Sequence, residues 1–326
     1  MKITGIKVRQ VEVPLIEPFR ISLGVITHSR SAIVSVETDE GLVGYGEGAP
    51  AILISGESLS GTNDVIKAID MACYDLLGKK AGMPVYKLLG GHKNFIETDM
   101  TVGIDTPEVM AAKAKKHVAD GFDTIKTKVG TSFDEDLARV KAIREAVGDD
   151  VKIRVDANQA WGAKEAVRLI ERLNEYNLEL VEQPVPYHDI AGLEYVTKHS
   201  IVPIMSDESC FNSKDALRLV ERRAIDYLNI KLMKCGGIRE ALKINAICES
   251  AGIEVMLGCM AEESNLGITA AASLGAATKN ITRADLDAIF TLTDMPFKGG
   301  VIVEDTKKLV LPEVPGFGFI GFENEQ

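Results

Sequence analysis

The chain has 326 residues, of which 46% are hydrophobic, so it can form one large α/β domain or a large domain with a smaller companion. Its formal net charge of -11 argues against nucleic acid and anionic membrane as partners. The five cysteines form no C-x-x-C pair, which predicts reduced thiols in a cytoplasmic protein. No apolar run approaches the roughly 20 residues of a membrane span, and the alternating N-terminus is unlike a signal peptide.

The first 48 residues are typical of β-structure. Apolar and polar residues alternate over 3–13, 32–38 and 42–46, which predicts three strands with a turn at Asp39-Glu40-Gly41. The polar, glycine-containing segment 18–30 is predicted to be a loop that is long enough to act as a lid. Apolar residues with helical spacing predict a helix over 63–80 and a short helix over 83–89.

From residue 95 the pattern changes to strands that alternate with helices. The predicted strands are 97–102, 124–129, 152–157, 180–183, 204–207, 227–230, 253–257 and 281–285. The predicted helices between them are 107–120, 133–147, 164–175, 190–199, 214–221, 238–250 and 266–277. Eight such strands favour a TIM-like (β/α) barrel over an open doubly wound sheet, whose glycine fingerprint is absent. The tail, 301–326, returns to strands and turns and is predicted to pack on the N-terminal region.

Two lysines end the second strand of this pattern. Lys126 and Lys128 are two residues apart, so on a strand their side chains point to the same side. Two ammonium groups in one space repel each other, and this is expected to lower the pKa of at least one of them. A lysine with a lowered pKa is a plausible base, although a solvated strand edge is the simpler alternative.

Charged residues continue at the ends of the next strands. Asp156, Glu182 and Asp207 follow Lys128 at intervals of 28, 26 and 25 residues, and Lys231 follows after a further 24. Active-site residues of a barrel stand at the C-terminal ends of its strands, so these groups are expected to meet. Three converging carboxylates require a cation, and an oxygen-only ligand set favours Mg²⁺. Glu208, next to Asp207, is expected to support the ligands rather than bind the metal.

These motifs together resemble the muconate-lactonizing branch of the enolase superfamily. The resemblance rests on Lys126-Thr127-Lys128, Asp156-Ala157-Asn158, Glu182-Gln183-Pro184, Asp207-Glu208 and Lys231-Leu232-Met233-Lys234. It implies a (β/α)₇β barrel with an α+β capping domain that both termini build. The expected domains are a capping domain over 1–92, a catalytic barrel over 93–298 and a tail over 299–326 that completes the cap.

The resemblance also implies a reaction. One Mg²⁺ per subunit binds a substrate carboxylate, and a proton leaves the adjacent carbon to give a metal-stabilised enediolate. Lys128 and Lys231 are expected to act as bases on opposite faces of the substrate, so that the carbon is inverted. Lys126 is expected to help neutralise the enediolate, and Asn158 to support the metal ligands.

A second pair of acids resembles the dipeptide epimerases of this branch. Asp285 and Asp287 end the last predicted strand, and two carboxylates on one face can bind one cation. By resemblance they hold the free ammonium group of a dipeptide, and Gly258-Cys259-Met260 adds Met260 to the substrate site. Members that act on L-Ala-D/L-Glu carry a basic side chain where this chain has Gly24. The nearby Ile26 indicates an apolar C-terminal residue in the substrate, with ordinary packing of the lid segment as the alternative.

The resulting expectation is a Mg²⁺-dependent epimerase that inverts the C-terminal residue of an L,L-dipeptide, acting as a possible homo-oligomer. The alternatives are an N-acylamino acid racemase, an o-succinylbenzoate synthase or a muconate cycloisomerase. A non-catalytic barrel that only binds its ligand is a further alternative. Between Gly56 and Lys67 the chain is tens of residues shorter than is usual in this family, so part of the helical cap is expected to be missing.

Overall fold

The N-terminal region forms an antiparallel sheet of three strands. The computed structural model describes residues 1–50 and 62–322. Strand β1 (Ile3–Ile21) pairs with β2 (Gly24–Thr38), and β2 pairs with β3 (Val43–Gly48). The three predicted strands are thus confirmed. The shortening expected between Gly56 and Lys67 lies outside the described residues up to position 61.

The prediction of a loop over 18–30 was wrong, because this segment extends the β1–β2 hairpin. Phe19 pairs with Ile26, and Ile21 pairs with Gly24, so the chain reverses over only two residues. Buried and exposed side chains still alternate along this part of the strand, since Ile21 is buried while Arg20 is exposed. Pro18, the first residue of this segment, lies where the register between the two strands is broken, a position that needs no ladder hydrogen bond.

A helix covers one face of this sheet. Helix α1 (Thr62–Ala81) packs on β2 and β3, close to the predicted range 63–80. The buried residues between them are Val34, Val36, Ala68, Ala72 and Leu76. A Cβ atom on Gly46 would lie 1.9 Å from the carbonyl oxygen of Ala68, so a glycine is required for this close approach. The short helix α2 (Val85–Leu88) follows.

The rest of the chain is organised around a barrel of eight parallel strands. These are β5 (Met100–Val102), β6 (Thr124–Lys128), β7 (Lys152–Asp156), β8 (Leu178–Glu182), β9 (Ile204–Ser206), β10 (Tyr227–Lys231), β11 (Glu254–Gly258) and β12 (Ile281–Asp285). They are hydrogen-bonded in sequence order. The first and last come together where the Asp99 amide donates to the Ala284 carbonyl (3.3 Å) and the Leu286 amide donates to Thr98 Oγ1 (2.7 Å).

One principal helix connects each pair of neighbouring strands, which gives the predicted (β/α)₇β order across the fully described range 100–285. The connecting helices are α3 (Pro107–Asp120), α4 (Phe133–Val147), α5 (Ala163–Leu173), α6 (Ile190–His199), α7 (Ser213–Glu221), α9 (Ile238–Ser250) and α10 (Asn265–Ala277), and a short α8 (Leu232–Cys235) precedes α9. Most buried apolar residues of these strands and helices form one continuous core, and Leu180, Met205 and Met256 form a smaller cluster of their own. No helix in the described residues has both the length and the apolar character of a membrane span.

The C-terminal tail packs on the N-terminal region, as predicted. Strand β13 (Phe297–Gly299) pairs with β16 (Phe319–Phe322), while β14 (Ile302–Glu304), β15 (Lys308–Val310) and β4 (Phe95–Glu97) form a small antiparallel sheet. The Phe317 amide donates to Asp75 Oδ1 of α1 at 2.8 Å, and the Arg9 guanidinium lies 4.1 Å from the ring centre of Phe322. The domain boundaries at 92 and 298 remain predictions.

Candidate active site

Seven charged side chains meet at the C-terminal ends of the barrel strands. Lys128, Asp156, Glu182, Lys231 and Asp285 are the last residues of β6, β7, β8, β10 and β12, Lys126 lies two residues before the end of β6, and Asp207 directly follows β9. All seven are buried, and the most exposed of them, Lys128, is only 7% exposed. Buried charges are costly unless they are paired, so a cluster of this kind is typical of a functional site. The structure therefore brings together the residues that the strand ends predicted.

Lys126 lies at the centre of this cluster. Its Nζ atom is 2.6 Å from Asp285, 2.7 Å from Glu182 and 3.1 Å from Asp156. Burial acts to lower the pKa of Lys126, but these carboxylates outweigh it and raise that pKa well above its ordinary value. The direction is opposite to the one expected from two neighbouring ammonium groups, because the carboxylates dominate the field at Lys126.

Lys128 and Lys231 approach the same cavity from opposite sides. Their strands, β6 and β10, are four positions apart in an eight-stranded barrel, which places them across the barrel from each other. Lys128 Nζ is 2.6 Å from Asp156, and Lys231 Nζ is 2.9 Å from Asp207. Burial acts to lower the pKa of Lys231, but Asp207 outweighs it and raises that pKa. Both lysines line the cavity, as the hypothesis of two opposed bases requires.

The three predicted metal ligands are fully buried carboxylates on consecutive strands. Burial, followed by repulsion from Asp156 and Asp207, raises the pKa of Glu182 to about 6. Burial also acts to raise the pKa of Asp207, but Lys231 and Lys234 outweigh it and lower that pKa. Within the described residues, Glu182 Oε2 and Asp207 Oδ2 have no hydrogen bond and face only lysine ammonium groups. Three such carboxylates fit a hard cation such as Mg²⁺.

Neighbouring side chains fix the orientation of these carboxylates. Asn229 Nδ2 donates to Glu182 Oε1 at 2.7 Å, and Lys234 Nζ lies 2.6 Å from Asp207 Oδ1. The predicted supporting pair is also in contact, since Asn158 Nδ2 donates to Glu208 Oε1 at 3.1 Å. Burial, followed by repulsion from Asp207 and Asp156, raises the pKa of Glu208 to about 7. Partners of this kind orient metal-binding groups.

Asp285 and Asp287 form an acidic group at the edge of the cavity. Together with Asp99 they offer carboxylate oxygens that lie within 4.8 Å of one another. Thr101 joins them, because its amide donates to Asp287 Oδ2 at 2.7 Å. Burial, followed by repulsion from Asp285, raises the pKa of Asp287 to about 6.

This acidic group is more compact than the predicted metal ligands, because Lys126 lies between Asp156 and Glu182. Two oxygen atoms of the acidic group are already in ion pairs, because Asp99 Oδ2 pairs with Arg154 at 2.7 Å and Asp285 Oδ2 pairs with Lys126. The side of the group that lines the cavity consists of Asp285 and Asp287. A cationic group of a ligand therefore has two carboxylates to contact at this edge.

The remaining walls of the cavity are largely apolar. The hairpin contributes Phe19, Ile21 and Ile26, and the loop after β11 contributes Cys259, Met260 and Ala261. Ile26 and Met260, both predicted to contact substrate, thus line this cavity. Gly24, also predicted to contact substrate, pairs with Ile21 beside the hairpin turn and is not among the lining residues.

Besides Asn229, which donates to Glu182, sequence reasoning missed Asp99, Thr101 and Glu262. Asp99 and Thr101 lie on either side of the start of β5, the strand next to β12, and that pairing could have drawn attention to them. Glu262 lies in the loop after β11 and lines the cavity. Nothing in its local sequence distinguishes it from Glu263, because loop contacts depend on the folded arrangement.

Two family profiles match the chain and together cover most of it. The profile for the enolase C-terminal domain-like family matches residues 109–320. The profile for the mandelate racemase / muconate lactonizing enzyme N-terminal domain matches residues 3–58 and 52–90.

Known proteins are similar over nearly the whole chain. A hydrophobic dipeptide epimerase from Enterococcus faecalis V583 is 54% identical over 98% of this chain and 99% of its own. The crystal structure of a dipeptide epimerase from that strain, complexed with Mg and L-Leu-L-Tyr, has a TM-score of 0.95 at 54% identity and matches 98% of this chain and 99% of its own. An L-Ala-D/L-Glu epimerase from Bacillus subtilis is 40% identical over 98% of this chain and 97% of its own.

The alignment with the Enterococcus epimerase also bears on the length of the chain. It spans 351 residues, more than the 326 residues of this chain, so part of the alignment has no counterpart here. This agrees with the expectation that the chain is shorter than its relatives.

Proposed function

Since the chain belongs to the mandelate racemase / muconate lactonizing enzyme family of the enolase superfamily, we propose that it is a Mg²⁺-dependent dipeptide epimerase. The substrate is an L,L-dipeptide that carries at least one apolar side chain, and the reaction inverts the α-carbon of its C-terminal residue. The observation that carries the proposal is one cavity lined by two opposed lysines and by a pair of carboxylates.

Lys128 and Lys231 are the proposed bases. A proton on the α-carbon is taken by the lysine on one face, and a proton is returned from the lysine on the other face, which inverts the centre. Their strands lie across the barrel from each other, which is the arrangement that inversion needs. Lys126 is proposed to stabilise the negative charge that develops as the proton leaves.

Asp156, Glu182 and Asp207 are the proposed ligands of Mg²⁺. When bound, the ion supplies Lewis-acid stabilisation of the substrate carboxylate. The same carboxylates keep the lysines charged in the structure described here, because they raise the pKa of Lys126 and Lys231. A divalent cation among them would offset that effect and favour the neutral amine that a base requires.

Asp285 and Asp287 are proposed to bind the α-ammonium group of the dipeptide. This role favours a dipeptide over an N-acylated amino acid, which has no ammonium group. Phe19, Ile21 and Ile26 are proposed to contact the substrate side chains, with Met260 on the other wall. An apolar specificity agrees with the similarity to the hydrophobic dipeptide epimerase and with Gly24 at the position of the basic residue expected for glutamate. We also propose a cytoplasmic location, since all five cysteines are free.

Exchange of the α-proton with solvent tests this function. The protein is incubated with Mg²⁺ and a pooled L,L-dipeptide library in D₂O, and a mass gain of about 1 Da per molecule marks exchange at one carbon. We expect apolar dipeptides to gain this mass and EDTA to abolish the gain. Exchange only in N-acylated amino acids, with none in any dipeptide, would contradict the proposal.

A further inference from the structure

The cavity contains one acidic side chain that the roles above do not use. Glu262 lines the cavity next to Ala261 and is 8% exposed. Its Oε2 atom is buried and has no hydrogen-bond partner in the part of the chain that the structure describes. The Glu262 carboxyl group has a hydrogen bond from its own backbone amide, but a buried carboxyl oxygen without a partner destabilises a fold, so Oε2 in this wall calls for a functional explanation.

The side chain of Glu262 is not needed to hold the loop in place. The backbone carbonyl of Glu262 accepts a hydrogen bond from Ser29 Oγ of β2. The next residue, Glu263, closes the loop by accepting from the Met260 amide at 2.8 Å, and it does not line the cavity. The loop is therefore fixed by the Glu262 backbone and by Glu263, which leaves the Glu262 carboxyl group available to a ligand.

The cations of the cavity are already paired elsewhere. Lys128 lies 2.6 Å from Asp156, and Lys231 lies 2.9 Å from Asp207. Burial raises the pKa of Glu262 to about 7, against the opposing effects of a hydrogen bond from its own backbone amide and of the Lys231 charge. Glu262 is thus an unsatisfied acceptor in a wall that is otherwise apolar.

We propose that Glu262 determines substrate selectivity by accepting a hydrogen bond from a donor on a dipeptide side chain, either a hydroxyl or an ammonium group. The inference rests on the proposed function, since a dipeptide has to occupy the cavity. A polar acceptor in an apolar pocket discriminates against substrates that lack the donor, because they leave it unpaired. The donor belongs to the side chain of the first or of the second residue, and the experiment separates the two.

Pairs of dipeptides that differ only in the donor test the proposal. L-Leu-L-Tyr is compared with L-Leu-L-Phe, L-Tyr-L-Leu with L-Phe-L-Leu, and L-Leu-L-Lys with L-Leu-L-norleucine. In at least one pair, we expect the wild type to have a roughly 10-fold higher kcat/KM for the dipeptide with the donor than for the one without it, because one hydrogen bond in a buried site can give this difference. The pair that responds identifies the residue and the type of donor.

Two variants separate this role from a structural one. Glu262→Met keeps the length of the side chain but removes the acceptor. The ratio of kcat/KM between the two members of the responding pair should therefore fall to about 1. The same variant should melt at a higher temperature, because an unpaired buried carboxyl group has been removed. Glu263→Gln is the matched control: it keeps the acceptor for the Met260 amide and should leave the preference unchanged.

The proposal is wrong if the wild type shows no preference in any pair, or if Glu262→Met retains the preference. Affinities of the same dipeptides, measured by calorimetry with Mg²⁺ present, decide the role of Glu262 even if no turnover occurs. A failure of the proposed function is distinguishable, because it would abolish deuterium exchange for donor and apolar members alike.

Discussion

The substitution Asp287→Asn tests whether the acidic edge of the cavity binds an ammonium group. Asp287 is 8% exposed and lines the cavity, and its Oδ2 atom accepts a hydrogen bond from the Thr101 amide at 2.7 Å. Asparagine keeps the shape of the side chain and an oxygen for that amide, but it removes the negative charge. The fold should therefore survive while the attraction for a cation falls.

The expected loss follows from the strength of the lost contact. A hydrogen bond to a charged group contributes about 1.5–3 kcal/mol and a neutral one about 0.5–1.5 kcal/mol, so the difference is about 1–2 kcal/mol. This corresponds to a fall of about 5- to 30-fold in kcat/KM for an L,L-dipeptide. The N-acetyl derivative of the same dipeptide has no ammonium group and should be affected much less.

The assay is the ratio of kcat/KM for the free dipeptide to that for its N-acetyl derivative. Asp294→Asn is a suitable control, because Asp294 also accepts a backbone hydrogen bond (Met295 amide, 2.9 Å) but is exposed. We expect Asp287→Asn to lower the ratio and Asp294→Asn to leave it unchanged. An equal loss for both substrates in Asp287→Asn would refute the ammonium-binding role.

Two further predictions concern stability. Burial raises the pKa of Glu263 to about 8 from the ordinary 4.5, so the folded state keeps a proton that the unfolded state loses. The free energy of unfolding should therefore decrease as the pH rises from about 4.5 to 8, and this decrease should be smaller in Glu263→Gln. Urea titrations across this pH range measure the decrease, and an equal decrease in the wild type and the variant would contradict the prediction. Gly46→Ala places a Cβ atom 1.9 Å from the Ala68 carbonyl and should cost about 1–3 kcal/mol, whereas Gly162→Ala, with nothing within 4 Å, should cost only the smaller amount that alanine costs at the N-cap of α5.

The barrel and the charges at its centre could be predicted because both follow from local sequence. Each βα unit repeats the same alternation of apolar patterns, and each of Lys128, Asp156, Glu182 and Lys231 ends its strand. Strand ends of a parallel barrel meet at one face whatever the details of packing. The positions of these side chains are therefore fixed by topology alone.

The remainder of the site depends on contacts between distant parts of the chain. The hairpin around Gly24 was mistaken for a loop, because its polar and glycine residues conceal an alternation that continues from Phe19 to Ile21. Asp99 and Glu262 reach the site from loops, whose paths are not encoded in a periodic pattern.

The direction in which the pKa of a buried group shifts is equally difficult to infer from sequence. Two lysines two residues apart suggest mutual repulsion, but the pKa of Lys126 rises because Asp285 and Glu182 come from strands far away in the chain. Prediction of that direction requires knowledge of which carboxylates the barrel places beside the ammonium group.

The most direct test of the two-base reaction is deuterium exchange from each epimer separately in Lys128→Ala and Lys231→Ala. Each lysine serves one face of the α-carbon, so each variant should lose inversion but still exchange the proton of one epimer. The two variants should retain exchange for opposite epimers of the same dipeptide. Persistent inversion in either variant, or exchange of the same epimer in both, would contradict the assignment of Lys128 and Lys231 as opposed bases.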